Sequence, residues 1–299
     1  MTADLRKAGS IEGVYVPVVT PFDDQHEIVF ERLTEVTERC VVAGVAGVVS
    51  CGTTGEYYAL SHDERVAVMA HTASVVGARA QLIAGVNAGS TREAIALGTK
   101  AKELGYQALM LAAPPTSLPR QHELAAHFEA IASGADLPII LYNYPARAGV
   151  EIGFDCLDAI VDNPNVVAIK ESSGDFSRLL AMRGRYSDRI TIMCGSDDQA
   201  ADYFFWGVRS WLAGTANVLP AEHVGVMNAA LAGDFNLARG LFAKILPWVQ
   251  VMESGSYNQK AKLGIGHFGI DCGPVRQPLL GLDDATAAEY LTALKAAIA

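Results

Sequence analysis

The chain has 299 residues, 51% of them apolar, and its 23 Lys and Arg stand against 33 Asp and Glu for a net charge of −10. An acidic balance with no basic stripe argues against a nucleic-acid partner, because phosphate binding relies on clustered cations. It leaves room for a small anion held by one local cation, and the apolar content is ample for a large core.

In chain order, the first ten residues, MTADLRKAGS, lack the apolar run of a secretion signal. Eight short apolar, β-rich runs follow: 14–20 (VYVPVVT), 45–52 (VAGVVSCG), 81–86 (QLIAGV), 107–113 (QALMLAA), 138–144 (PIILYNY), 166–172 (VVAIKES), 190–195 (ITIMCG) and 210–216 (SWLAGTA). Near-continuous apolar strands suit a parallel sheet buried on both faces. Amphipathic stretches separate them. In 61–77, Ser61 is placed to cap a helix and Glu64 to complete a capping box; 90–105 ends in a glycine suited to a helix C-terminus. Eight strand-and-helix units predict an α/β fold, a (β/α)8 barrel over residues 1–220. The mostly helical stretch 221–299 is predicted to pack on the barrel as part of one structural unit. No run of about 18 apolar residues suggests a membrane span. The five cysteines, Cys40, Cys51, Cys156, Cys194 and Cys272, are odd in number and show no C-x-x-C, which predicts reduced thiols, no disulfide framework and a cytoplasmic protein.

Barrel chemistry sits at the C-terminal ends of the strands. Lys170 ends the run VVAIK, where desolvation lowers an amine's pKa and makes it a nucleophile toward a ketone. The plainer alternative is a lysine that reaches out of the barrel mouth or pairs with a carboxylate. Tyr142, one strand earlier, would bring a proton-transferring phenol beside it; the plainer alternative is a core aromatic with a capped hydroxyl. The loop Gly52-Thr53-Thr54-Gly55-Glu56 offers amide and hydroxyl donors for a carboxylate, or is simply a tight turn. Arg147 could take a second carboxylate or form a surface ion pair. Gly264, Gly266 and Gly269 match G-x-G-x-x-G without the strand context of a dinucleotide site and are read as packing glycines. Asp197 and Asp198 suit a turn better than Mg2+. His62 and His71 lie nine apart rather than at a zinc spacing. Cys51 and Cys194 suit small buried residues, and Trp206 and Trp211 packing.

Taken together, PVVTPF (17–22), GTTGE (52–56), YNYPARAG (142–149), IKESSGD (169–175), CGSDDQ (194–199) and TANV (215–218) resemble the dihydrodipicolinate synthase / N-acetylneuraminate lyase family over nearly the whole chain. The resemblance implies that Lys170 forms a Schiff base with pyruvate or another 2-oxo acid. It implies that Tyr142 donates and accepts protons, with Thr53 in the relay. Thr54 grips the 2-oxo acid carboxylate beside Gly52, Leu212 lines the pocket with its carbonyl, and Arg147 receives a second carboxylate. It implies no metal and no organic cofactor, and a homotetramer built as a dimer of dimers. Two positions depart from the synthases. Pro115 and Thr116 stand where they carry two tyrosines, one of which crosses into a neighbouring subunit's site. Gly89 stands where the lysine-inhibited synthases carry asparagine, although His62 and Glu93 match. The expected activity is a lyase similar to 4-hydroxy-tetrahydrodipicolinate synthase. A 2-keto-3-deoxy sugar acid aldolase or dehydratase and a cyclic imino acid deaminase are the alternatives within the family. A non-catalytic metabolite-binding barrel is the alternative outside it.

Overall fold

The structure, a computed structural model, describes residues 5–6 and 11–299; apart from Leu5 and Arg6, the N-terminal stretch read for a signal lies outside the described residues. Eight parallel strands close into a barrel in sequence order: β1 (Gly13–Pro17), β2 (Gly47–Ser50), β3 (Gln81–Gly85), β4 (Ala108–Ala112), β5 (Ile139–Asn143), β6 (Val166–Glu171), β7 (Thr191–Cys194) and β8 (Ser210–Leu212). Each of the eight apolar runs supplies one strand. The strands are shorter than the runs, since residues 18–20, 51–52 and 213–216 leave the sheet to build loops at its C-terminal mouth.

Alternation within each strand divides the core in two. Side chains that include Tyr15, Val49, Ile83, Met110, Ile140, Ala168, Met193 and Leu212 fill the barrel interior, and a larger cluster packs between the sheet and the helices. The interior is thus a packed plug, and only its upper end is free to carry chemistry.

The helices are α1 (Phe30–Val42), α2 (His62–Val76), α3 (Thr91–Glu103), α4 (Gln121–Ala135), α5 (Pro145–Ala148), α6 (Phe154–Ile160), α7 (Phe176–Tyr186), α8 (Ala200–Phe205), α9 (Pro220–Leu231), α10 (Phe235–Glu253), α11 (Tyr257–His267) and α12 (Asp284–Ile298). Ser61 Oγ accepts from the Glu64 amide at 3.2 Å while the Glu64 carboxylate accepts from the Ser61 amide at 2.7 Å, so the capping box forms. Gly105 follows α3 with φ +84°, the left-handed conformation that favours glycine. Helix α9 packs on α1 and β1, α10 on α9 and α12, and α11 on α12. No helix among the described residues is long and apolar enough to cross a membrane.

Two expectations need correction. Gly264 is a packing glycine, since a β-carbon there would lie 2.2 Å from Tyr290 Oη; Gly266 has nothing within 4 Å, and Gly269 is a turn residue at φ +90°. Trp211 is fully buried, but Trp206 is 46% exposed and forms part of a surface aromatic group with Phe205 and Phe235.

Candidate active site

Tyr142 on β5 and Lys170 on β6 are direct register partners. Both point into the barrel, and the residues after them point out. There Asn143 Nδ2 donates to both Glu171 oxygens at 3.1 and 2.9 Å, and Glu171 accepts from Arg178 Nε at 2.8 Å. The outward pair ties the two strand ends together, so the inward pair is held in register by buried charge-assisted bonds. Lys170 Nζ lies 4.5 Å from the centre of the Tyr142 ring, and Lys170 is 7% exposed. It makes no ion pair among the described residues, which removes the alternative of a charge-paired structural lysine. Burial lowers its pKa, opposed by the more distant charges of Asp197 and Glu253. The ring face favours the cation, while burial, the largest influence on the pKa, favours the neutral amine. Burial pushes the Tyr142 phenol up, opposed first by Arg147.

Gly195, at the end of β7, makes space for this lysine. A β-carbon there would sit 2.7 Å from both Cγ and Cε of Lys170 and 2.1 Å from Ser172 Oγ. Only a glycine admits the lysine stem along this wall.

The Gly52–Glu56 loop forms the opposite wall, with Thr53 and Thr54 on the cavity. Its shape is fixed from outside. Glu56, at φ +57° and fully buried, pairs with Lys262 Nζ at 2.7 Å. Thr20 Oγ1 donates to Gly55 O at 2.8 Å and Asn258 Nδ2 to Thr53 O at 3.2 Å.

The cavity these walls enclose measures about 220 Å³ and is lined by Thr53, Thr54, Tyr142, Arg147 and Lys170 among the residues predicted from sequence. Gly52 and Leu212 are buried beneath it and are not among its lining side chains. Thr116 is exposed on the loop after β4, at φ +73°, and does not reach the cavity. Cys51 and Cys194 are buried, and burial pushes the Cys51 thiol up to about 12 and Cys194 well above its ordinary value, so both are inert packing groups. No group of three or more His, Cys, Asp or Glu among the described residues is arranged to hold a metal ion.

Further lining residues were given no role by the sequence, chiefly Tyr144, Ser172, Glu253 and Tyr257, and Asp198, read there as a turn residue, also lines the cavity. Tyr144 and Ser172 carried a usable signal, being two residues beyond Tyr142 and Lys170 and therefore on the same face. Glu253 and Tyr257 come from α10 and α11 and carried none. Asp197 is structural, as expected, but it is a hub: it accepts from Trp211 Nε1 at 2.9 Å, Thr215 N at 3.1 Å, Thr215 Oγ1 at 2.8 Å and Tyr257 Oη at 3.0 Å. At the rim, loss of water and then repulsion from Asp197 and Asp198 raise the Glu253 carboxyl to about 8.

A buried lysine leaning toward its neutral form, a phenol beside it and a hydroxyl-bearing loop, all at the mouth of a (β/α)8 barrel, define a carbonyl-binding enzyme of the amine-nucleophile class. The sequence profile of the Dihydrodipicolinate synthetase family matches residues 10–297, and the chain belongs to that family, a family of lyases. Among its relatives is the 4-hydroxy-tetrahydrodipicolinate synthase of an Exiguobacterium species, 31% identical over 95% of this chain and 97% of the relative. The enzyme of that name from Methanocaldococcus jannaschii is 32% identical over 91% of this chain and 94% of its own. Among solved structures, the chloride-inhibited dihydrodipicolinate synthase of Acinetobacter baumannii complexed with pyruvate superposes with a TM-score of 0.92 at 32% identity, covering 96% of this chain and 99% of that one. The 4-hydroxy-tetrahydrodipicolinate synthase of Methylacidiphilum fumariolicum gives 0.93 at 29% identity, with 96% of each chain covered.

Proposed function

We propose that this lyase forms a Schiff base between Lys170 and a 2-oxo acid, pyruvate being the simplest. The observation that carries the reading is the position of Lys170: buried, without an ion pair among the described residues, and with Nζ 4.5 Å from the Tyr142 ring. The neutral amine adds to the 2-oxo carbon. Tyr142 protonates the carbinolamine oxygen, which leaves as water, and the iminium then loses a C3 proton to the Tyr142 phenolate to give an enamine. The enamine attacks an aldehyde carbon, or the same steps run in reverse as cleavage. Thr53 serves Tyr142 in the proton relay, Thr54 holds the carboxylate of the 2-oxo acid with Gly52 supplying close backbone approach, Leu212 offers its backbone carbonyl at the floor, and Arg147 faces the second substrate. Thr116, exposed and off the cavity, takes no part within its own subunit.

The pyruvate complex of the Acinetobacter relative supports the choice of ligand. Residues 1–220 and 221–299 act as one unit, since Glu253, Tyr257 and Asn258 line the cavity. The protein works as a cytoplasmic homotetramer, a dimer of dimers, without metal or organic cofactor. Borohydride added with pyruvate should attach the three-carbon unit irreversibly to Lys170 in wild type and leave Lys170→Ala unmodified. A wild-type protein that no member of a broad 2-oxo acid panel can label would overturn the reading.

A second substrate reading has its own support. The Asp198 carboxylate, the Glu253 carboxyl whose pKa is raised to about 8, and the hydroxyls of Ser172 and Ser173 share the cavity with Arg147. They favour a hydroxylated second partner, as in a 2-keto-3-deoxy sugar acid, over a carboxylated aldehyde. A coupled screen of aldehydes with pyruvate decides between the two.

A further inference from the structure

This inference rests on the Schiff-base reading. Tyr142 gives up a proton when the carbinolamine oxygen leaves as water, and its phenolate takes the C3 proton as the enamine forms; for that proton to exchange with solvent, the deeply buried Tyr142 needs a neighbour that connects it to the mouth. The position that supplies a second phenol in the synthases is Thr116 here, exposed and away from the cavity. A second phenol to join Tyr142 and the Thr53 hydroxyl must therefore come from elsewhere on the cavity wall.

Three tyrosines line the cavity among the described residues: Tyr142, Tyr144 and Tyr257. Tyr257 Oη already donates to Asp197 at 3.0 Å, so its proton is committed to a buried carboxylate. Tyr57 and Tyr58 do not line the cavity, and the Tyr58 oxygen accepts from Asn258 Nδ2 at 2.9 Å. Tyr144 remains. It follows Tyr142 by two residues, one past the end of β5, and its ring lies beside that of Tyr142, with centroids 6.0 Å apart and planes tilted by 44°. Tyr144 is only partly buried, so it touches both the cavity and the solvent side of the mouth. Arg147, one turn further along α5, places its guanidinium 5.5 Å from the Tyr144 ring centre, close enough for its charge to favour a transient phenolate there.

We propose that Tyr144 is the second proton-transfer phenol of this site, standing in within one subunit for the tyrosine that the synthases borrow from a neighbour. The Tyr142 oxygen takes the Tyr144 proton, directly or through one water, and the Tyr144 oxygen takes a proton from solvent at the mouth, with Arg147 holding its charge meanwhile. The C3 proton that Tyr142 accepts as the enamine forms leaves to solvent by the same path run outward. Each step moves one proton and needs no co-reactant.

The test is exchange of the pyruvate methyl protons in D2O, followed by NMR, alongside borohydride trapping of pyruvate. Tyr144→Phe should still be trapped completely at Lys170, with an unchanged unfolding midpoint. Its exchange rate should fall about 100-fold, and added imidazole buffer should restore exchange in the variant while leaving wild type unaffected. Tyr144→His should exchange with a pH profile moved toward the imidazole range, about 6.5. Exchange within twofold of wild type in Tyr144→Phe overturns the inference. So does a slow variant that ignores buffer, because a merely misplaced Tyr142 would behave that way. Failure to trap wild type sinks the Schiff-base reading itself, and this inference with it.

Discussion

Adding one methyl group at Gly195 tests whether the position of the lysine, and not merely its presence, makes this site. In Gly195→Ala the new carbon would lie 2.7 Å from Lys170 Cγ and Cε. Comfortable carbon–carbon contact begins near 3.5 Å, so the stem must move by about 1 Å. A displacement of that size costs about 100-fold in rate, or about 2.7 kcal/mol of transition-state stabilisation. The same carbon lies 2.1 Å from Ser172 Oγ, whose hydroxyl donates to Gly195 O at 2.9 Å. Overpacking should therefore lower stability by about 1–3 kcal/mol as well. The two losses are separable: Gly195→Ala with Ser172→Ala should recover stability and not the rate of borohydride trapping. Gly184, in α7, is the control, because a β-carbon added there would meet nothing within 4 Å. Gly184→Ala should gain about 0.5–1 kcal/mol and keep full activity. The assays are single-turnover trapping of pyruvate and urea denaturation. Trapping by Gly195→Ala within threefold of wild type would refute the reasoning, because it would show that the amine tolerates displacement.

The pH dependence of stability carries the signature of Lys170. Its folded-state pKa is lowered from its ordinary 10.5 by burial, so within the window between the lowered value and 10.5 the unfolded chain binds more protons. Wild type should gain stability across that window as pH rises, relative to Lys170→Met, and lose that increment as pH falls through the folded value; denaturant midpoints measured against pH for both proteins check the sign. Asp197→Asn replaces an acceptor of four hydrogen bonds by a group that can also present N–H to those donors. About 2–3 kcal/mol should be lost, read as a fall in the urea midpoint at constant slope. Lys262→Met strands the fully buried Glu56 carboxylate and should cost about 3–5 kcal/mol, with Glu56→Gln in the same protein recovering most of it. A double-mutant cycle by chemical denaturation measures the coupling.

What could be read from the sequence follows from where chain neighbours end up in space. All eight strands were legible because burial on both faces leaves an unbroken apolar run, and Tyr142 and Lys170 were legible because adjacent strand ends in a barrel must meet. The same logic reaches Tyr144 and Ser172 by a step of two residues, one past the end of each strand. It fails at Gly195, whose role is to be absent from a volume the lysine stem occupies; nothing in the sequence marks that glycine apart from one serving a turn. It also fails at Trp206, where an aromatic beside a helix end reads as core but remains half in water.

The far wall of the cavity exposes the deeper reason. Glu253, Tyr257 and Asn258 come from the junction of α10 and α11, and they bond to loops far away in the chain: Tyr257 to Asp197 and Asn258 to the Thr53 carbonyl. An amphipathic pattern tells which face of a helix is buried, not which surface buries it. The reacting groups are carried by strands, whose register sequence order dictates. Glu253 and Tyr257, on the far wall, are carried instead by helices, whose docking is settled by packing after the barrel closes. Reaction class and substrate choice therefore rest on different structural links, and only the first runs along the chain. Changes at the α10–α11 junction can alter the second partner while leaving Lys170, Tyr142 and the strands that hold them untouched.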